Sequence, residues 1–344
     1  MAYTTIDKSS LQFNTKLYTG NGGTQTISGI GFNPSFAWFK TRTSTSHMLQ
    51  DQVRGTGNFL ESNNNTAAQS SSDGITSFNS DGYAIGDNGR LNSNGTSMVS
   101  WNWKANGQGS SNTDGSINTI YTSANPTAGF SIVRYTGNGS AGATIGHGLG
   151  VAPKFIIVKS DSDNYNWTVY YGDPTDYLVL NGTDTTTDSV EVWNDTAPSS
   201  TLITLGNRNS TNQNTATFVA YCFSEIQGFS KTGTYTGNGN DGSGSAPMIY
   251  TGFKPAFIIL KRTDSADNWF IFDNKRKGYN TENDYLYANL TNGEGSTDIL
   301  DIVSSGFKLR TTDSGMNAGG GSYIYIAFAD NPFVTSTGVP TPAR

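Results

Sequence analysis

The chain has 344 residues, of which 41 are glycine, 14% are charged and 12% are aromatic. The aromatic content excludes an intrinsically disordered chain, and the scarcity of strong helix formers argues against a helical protein. The formal net charge of −6 argues against nucleic-acid binding, because neutralising phosphates takes a basic surface. Thr and Tyr interleaved with Gly, Asn and Asp favour short strands and tight turns, so we predict an all-β fold.

The cysteine count and the hydropathy pattern indicate where the chain is made. A single cysteine, Cys222, excludes an internal disulfide and indicates a reducing compartment. The first residues contain no apolar run typical of a signal peptide, and no stretch approaches 18 apolar residues. We therefore expect synthesis in a cytoplasm without export, and no insertion into a membrane.

An internal repeat organises the chain. The sequence Tyr-Thr-Gly-Asn-Gly occurs at Tyr18–Gly22, Tyr135–Gly139 and Tyr235–Gly239. Other landmarks follow each copy in the same order: a lysine six residues after a proline, an aromatic residue followed by leucine, and a closing apolar run. The lysines are Lys40, Lys159 and Lys261, and the aromatic–leucine pairs start at Phe59, Tyr177 and Tyr285. Trp167 and Trp269 lie at matching positions, where the first copy has His47.

Copies of about 100 residues are the right size for independent sandwiches, so we predict three tandem antiparallel β-sandwich domains of jelly-roll type. The polar, glycine-rich stretches supply the boundaries. We expect an N-terminal arm at 1–12, repeat 1 at 13–106, a linker at 107–128, repeat 2 at 129–228, repeat 3 at 229–333 and a C-terminal arm at 334–344.

The sequence is poor in catalytic residue types. His47 replaces a tryptophan and His147 lies in a glycine-rich turn, so both favour structural roles over a catalytic triad. Nothing supplies the convergent ligands of a zinc site, and the Asp-rich turns at 161–163 and 184–188 lack the pattern of a calcium loop. No pairing is evident among the carboxylates near aromatic residues, which are Glu191, Glu225, Asp273 and Asp301. We predict no enzymatic activity, no cofactor and no metal.

The remaining candidates for binding residues are aromatic and basic side chains in polar loops. Trp193 has no counterpart in the other copies and lies between Glu191 and Asn194, so we predict an exposed contact residue there. Further candidates for ligand or receptor contact are Tyr165, Tyr279, Lys275, Arg276 and Lys277.

The segments FSIVRYTGNGSAGATIGHGLGVAPKFIIVKS and GFKPAFIILKRTDSADNWFIFD resemble the repeated domains of tail-fibre-like or structural virion proteins of tailed bacteriophages, many of them marine. The first copy departs from this pattern. The resemblance implies a virion component assembled in the host cytoplasm, fibre-like and involved in attachment to a host glycan or protein. It also implies contacts with other virion proteins and a homo-oligomer, commonly a trimer. A capsid-decorating or tail-connector protein is the alternative, and a surface-glycan depolymerase is the third hypothesis.

Overall fold

Antiparallel strands form nearly all of the regular structure, which confirms the all-β prediction. The computed structural model describes residues 3–241, 245–277 and 284–340. Its α-helices are four residues long, so none of the described helices could cross a membrane. The strands fall into three consecutive parts of the chain, residues 13–103, 121–223 and 230–332, which we call the first, second and third segments.

The elements are numbered in chain order. A 3-10 turn at Ser9–Leu11 precedes the first segment, which contains β1 Phe13–Thr19, β2 Gln25–Ser28, β3 Phe36–Thr41, β4 Met48–Asp51, β5 Asn58–Phe59, β6 Gln69–Ser70, β7 Ile75–Asn79, β8 Gly82–Ile85, α1 Gly89–Asn92 and β9 Ser97–Trp103. The second contains β10 Tyr121–Asn125, β11 Phe130–Thr136, β12 Ala143–Gly146, β13 Phe155–Ser160, β14 Thr168–Tyr170, β15 Asp176–Val179, β16 Thr187–Asp188, α2 Val190–Trp193, β17 Leu202–Leu205, α3 Asn209–Asn212 and β18 Thr217–Phe223. The third contains β19 Ser230–Thr236, β20 Met248–Tyr250, β21 Phe253–Arg262, β22 Trp269–Asp273, β23 Leu286–Tyr287, β24 Leu300–Val303, β25 Gly306–Leu309, α4 Ser314–Asn317 and β26 Ser322–Pro332.

Each segment combines a large sheet with a small one. The large sheets have the orders β1-β9-β3-β4, β10-β11-β18-β13-β14-β15-β16 and β19-β26-β21-β22-β23. The small sheets have the orders β2-β8-β7, β12-β17 and β20-β25-β24. In every large sheet the closing strand (β9, β18 or β26) therefore lies between the strand that leads into the Tyr-Thr-Gly-Asn-Gly turn (β1, β11 or β19) and the strand that follows or contains the proline (β3, β13 or β21).

The Tyr-Thr-Gly-Asn-Gly turns are held by a buried asparagine. In the second segment, the Asn138 N–H donates to Asn212 Oδ1 at 2.9 Å, and the Gly139 N–H donates to the Asn212 carbonyl at 2.8 Å. Gly139 has a φ of +70°, which favours glycine. The Tyr135 hydroxyl donates to the carbonyl of Thr211. The same bonds join Tyr18, Asn21 and Gly22 to Leu91 and Asn92, and Tyr235, Asn238 and Gly239 to Met316 and Asn317. The motif therefore fixes a turn against the end of a short helix.

The large sheets of all three segments face one apolar cluster, which we call the shared core. Its members include Trp103, Phe223 and Phe328, whose ring centroids lie 5.6 to 6.3 Å apart. In β13, Phe155 and Ile157 face the shared core, while Ile156 and Val158 face the space between the two sheets of the second segment. The segments are thus joined through one core and do not form separate tandem bodies.

Hydrogen bonds close the three segments into a ring. Each segment donates from a buried ring nitrogen to a backbone carbonyl of another segment, at 2.9 Å in each case. The three pairs are Trp167 with Glu61, Trp269 with Val179 and His47 with Tyr287. His47 Nδ1 accepts a hydrogen bond from Trp38 Nε1. The ring proton is therefore on Nε2, which donates a hydrogen bond to the Tyr287 carbonyl. His47 therefore takes the place of tryptophan in the ring as well as in the sequence.

The described residues of the predicted linker and arms are part of this body. Residues 107–128 were predicted to be a linker between repeats; they contain β10, which pairs with β11 along its whole length. The N-terminal arm lies against the third segment: Ile6 is buried, and the Tyr3 hydroxyl donates to the Gly252 carbonyl. The Asp7 carboxylate accepts from both the N–H and the hydroxyl of Ser336 at 2.6 Å, which joins the two arms.

Candidate functional site

Trp193 is buried, and the prediction that it is an exposed contact residue is wrong. Its side chain is 1% exposed and its ring packs edge-on against Tyr170 at 5.7 Å. Trp193 ends the single turn of α2, which turns Val192 and Trp193 toward the core and leaves Glu191 in solvent. The sequence reads as a polar loop because the turn is too short to show helical periodicity.

The three residues of the basic cluster at 275–277 differ in exposure. Arg276 is buried, and it forms ion pairs with Asp273 at 2.6 Å and Glu294 at 2.8 Å, so it is not available for contact. Lys275 is exposed, and exposed Lys277 lies 3.5 Å from Asp284. The remaining candidate of this region, Tyr279, lies outside the described residues. One buried structural arginine thus separates two surface lysines.

Tyr165 lies at the rim of an open cleft of about 490 Å³ in the second segment. The cleft is formed by side chains from β14, β15, α2 and the loop that leads into α3. Thr168 and Tyr177 come from the strands, Glu191 comes from α2, and Ser210 comes from α3. Tyr165 is half-buried, and its hydroxyl donates to the Gln213 side chain just beyond α3. This surface combines aromatic rings with polar groups, and it is the candidate functional site.

Backbone contacts position the loop of residues 206–209 on α2. The Gly206 N–H donates to the Val192 carbonyl at 2.9 Å, and the Arg208 N–H donates to the Glu191 carbonyl at 2.8 Å. A Cβ at Gly206 would lie 2.0 Å from the Glu191 carbonyl oxygen, so only glycine permits this approach. Trp193 anchors α2 from the other side. Its role at the site is therefore to position Glu191.

The two charged side chains of the cleft form a loose pair. Arg208 Nη1 lies 3.6 Å from Glu191 Oε2, and the two side chains are 37% and 58% exposed. This distance is too long for a hydrogen bond, and exposed pairs of this kind contribute little to stability. The Arg208 guanidinium also lies 4.9 Å from the centre of the Tyr177 ring, a cation–π distance. Both charged groups keep most of their hydrogen-bonding capacity for a ligand.

The histidines and the cysteine are buried away from the cleft. Burial and the charge of Lys40 lower the pKa of His47 to about 3. Burial also lowers the pKa of His147, whose Nδ1 accepts from the Leu149 N–H. Burial raises the pKa of the Cys222 thiol to about 12, which leaves it unreactive as a nucleophile. None of these three groups lines the cleft.

The repeated lysines are buried as well, and they donate to carbonyls at the edges of the segments. Lys40 reaches the Thr291 carbonyl and Lys261 reaches the Thr183 carbonyl, each in another segment, while Lys159 bonds to Ser160 and Asp163 within its own. Burial lowers the pKa of Lys159 to about 7 and those of Lys40 and Lys261 to about 8.

Three of the four carboxylates considered for sugar hydrolysis have structural partners. Glu225 accepts from Thr232, Asp273 pairs with Arg276, and Asp301 pairs with Arg310. The fourth, Glu191, is the one carboxylate that lines the cleft among the described residues. Glycoside hydrolysis commonly needs two carboxyl groups across one bond, and the described lining of the cleft supplies one.

The comparison with protein families gives a match to the model described as "Domain of unknown function (DUF7483)", over residues 8–332. The chain belongs to the DUF7483 family. The matched residues of this DUF7483 protein take in all three segments and the inner part of the N-terminal arm, in agreement with a single body built around the shared core. No curated protein and no solved structure matches the chain.

Sequence reasoning identified Tyr165 and considered Glu191, but it missed Tyr177, Arg208 and the asparagines beside them as a binding group. The available signal is a difference between copies. Two residues before the buried asparagine, the first copy has Arg90 and the second has Ser210. A change from a large to a small residue on a repeated scaffold marks a place where a surface can open.

Proposed function

We propose that this chain is a structural protein of a tailed-phage virion, fibre-like, which contributes to attachment to the host surface through the cleft of the second segment. The observation that carries the proposal is the pairing of a closed body, whose segments share one core, with an open polar and aromatic cleft that holds one carboxylate. Such a body is stable without disulfides, and its site suits binding. The resemblance to phage virion proteins supports the location.

Immunogold electron microscopy of intact virions, with antibody raised against this chain, tests the location. Label at a tail tip or on projecting fibres is the expected result. The absence of label from every particle would overturn the proposal. Adsorption assays complete the test, because soluble chain should compete with virions for host cells.

A capsid-decorating or connector role is the second candidate, and a specific surface favours it. Large apolar side chains are exposed beside the terminal arms: Tyr250 is 55% exposed, Met248 51% and Phe333 40%. Exposed apolar groups of this kind suit contact with another virion protein. Even labelling over the head would favour this candidate over attachment.

The proposal includes self-association, with a homotrimer as the form that the resemblance implies. Light scattering on the purified chain measures this directly. A mass of three times 36.7 kDa would support the trimer, and a mass of 36.7 kDa would refute it.

A further inference from the structure

The second segment has a small residue, Ser210, at a position where the first segment has an arginine. In the first segment, Arg90 occupies the position two residues before the buried asparagine. Its guanidinium lies 5.2 Å from the Phe59 ring centre and 2.5 Å from the Glu61 carboxylate. Phe59 matches Tyr177 in the repeat. Ser210 matches Arg90. Tyr177 is 7% exposed and its ring is covered by Arg208, so the open space lies beside Arg208 and Ser210.

The third segment has no side chain at this position. The matching residue is Gly315, and a Cβ there would lie 2.7 Å from Asp267 Oδ1 and 2.8 Å from the Phe270 ring. Neighbouring side chains therefore already occupy the position.

The polar groups of the cleft are largely uncommitted. The side-chain amides of Asn207 and Asn209 are exposed, and neither has a hydrogen-bond partner among the described residues. Asn166 accepts from Asn181 through Oδ1, which leaves its own N–H groups available. The Ser210 hydroxyl accepts from Thr168, so its proton remains available for donation. The cleft thus offers both donors and acceptors.

The charge of the lining selects among ligands. Arg208 and Glu191 are the charged residues of the lining, so its net charge is zero. An anionic ligand would face the Glu191 carboxylate, and a cationic one would face the Arg208 guanidinium. Neighbouring hydroxyl groups on a neutral sugar satisfy both, because each hydroxyl donates and accepts. The half-buried ring of Tyr165 supplies apolar surface for the C–H face of a sugar, whereas Tyr177 is buried beneath Arg208 and contributes little.

We infer that the cleft of the second segment binds a neutral saccharide. The inference rests on the proposed attachment function for its biological setting, but the site is defined by this chain alone. A volume of about 490 Å³ falls within the range of small-ligand sites. The single carboxylate indicates that the saccharide is held and not cleaved.

Titration calorimetry on the purified full chain tests the inference. The probes are neutral trisaccharides of glucose, galactose, mannose and N-acetylglucosamine, with sulfated and sialylated trisaccharides as charged counterparts. We expect at least one neutral probe to bind, and the charged versions of that probe to bind more weakly. Stronger binding of the charged probes, or no binding by any probe, would overturn the inference.

Variants locate the site. Replacing both Asn207 and Asn209 by Ala removes exposed amides, and we expect binding to weaken by about tenfold or more. Asp87→Ala is the matched control, because Asp87 is exposed in the first segment at the position of Asn207 and should leave binding unchanged. Ser210→Arg rebuilds the filled state of the first segment and should abolish binding. Unchanged binding in the double variant would refute the site even if Ser210→Arg fails to fold.

These results separate the two proposals. Binding without gold label on virions would refute the virion function and leave the saccharide site standing. Label on fibres without binding would refute the saccharide site and leave the virion function standing.

Discussion

His47 allows a quantitative test of the ring, because its titration is coupled to folding. The imidazole is 0% exposed, accepts from Trp38 and donates to the Tyr287 carbonyl of the third segment. Burial and the nearby Lys40 charge lower its pKa from 6.5 to about 3. Between these values the unfolded chain binds a proton that the folded chain does not. Stability therefore rises with pH across this window, and it is lost as pH falls from about 6.5 toward 3.

The magnitude follows from the width of the window. Each pH unit in it changes the free energy of unfolding by about 1.4 kcal/mol for one proton. At about pH 4.5, His47 alone therefore makes the protein less stable than at neutral pH by about 3 kcal/mol.

His47→Gln isolates this effect, because a glutamine amide can both accept from Trp38 and donate to Tyr287 but does not titrate. Urea unfolding at several pH values between 4.5 and 7 should show a slope that is smaller by about one proton in the variant. His147 and the carboxylates titrate in both proteins, so their contributions cancel in the comparison. Equal slopes in the two proteins would refute the buried, neutral His47 and its place in the ring.

Three further predictions concern the core. Trp193→Ala should lower the free energy of unfolding by about 3–5 kcal/mol in urea titrations, whereas a change near zero would show that the Trp193 side chain is exposed. Cys222 should not react with a thiol reagent until the protein unfolds, and rapid labelling of the native protein would contradict its burial. The excised chain of residues 129–228 should not give the dispersed NMR spectrum of a folded domain, because Phe155 and Phe223 would lose their partners in the shared core. A folded fragment would show that the segments are independent.

Local features of the fold could be predicted because they depend on neighbouring residues. The Asn–Gly turns, the strands and the apolar run at Phe155 follow from turn chemistry and from side chains that are apolar on both faces. The shared core and the burial of Trp193 could not be predicted, since they depend on which faces meet in three dimensions. A run that is apolar on both faces shows that a second face is covered, but not that other segments of the same chain cover it.

Alternation along two strands separates the ring from the cleft. Trp167, immediately before β14, donates to the Glu61 carbonyl of the first segment, while Thr168, the first residue of β14, faces the cleft. In β15, Leu178 belongs to the shared core, while Tyr177 on the opposite face lines the cleft. Successive residues of a strand point to opposite faces, so the same two strands serve both surfaces. The cleft face of these strands can therefore change while the residues that close the ring stay in place. This separation allows one copy of a repeat to acquire a site without a change in the contacts that close the ring.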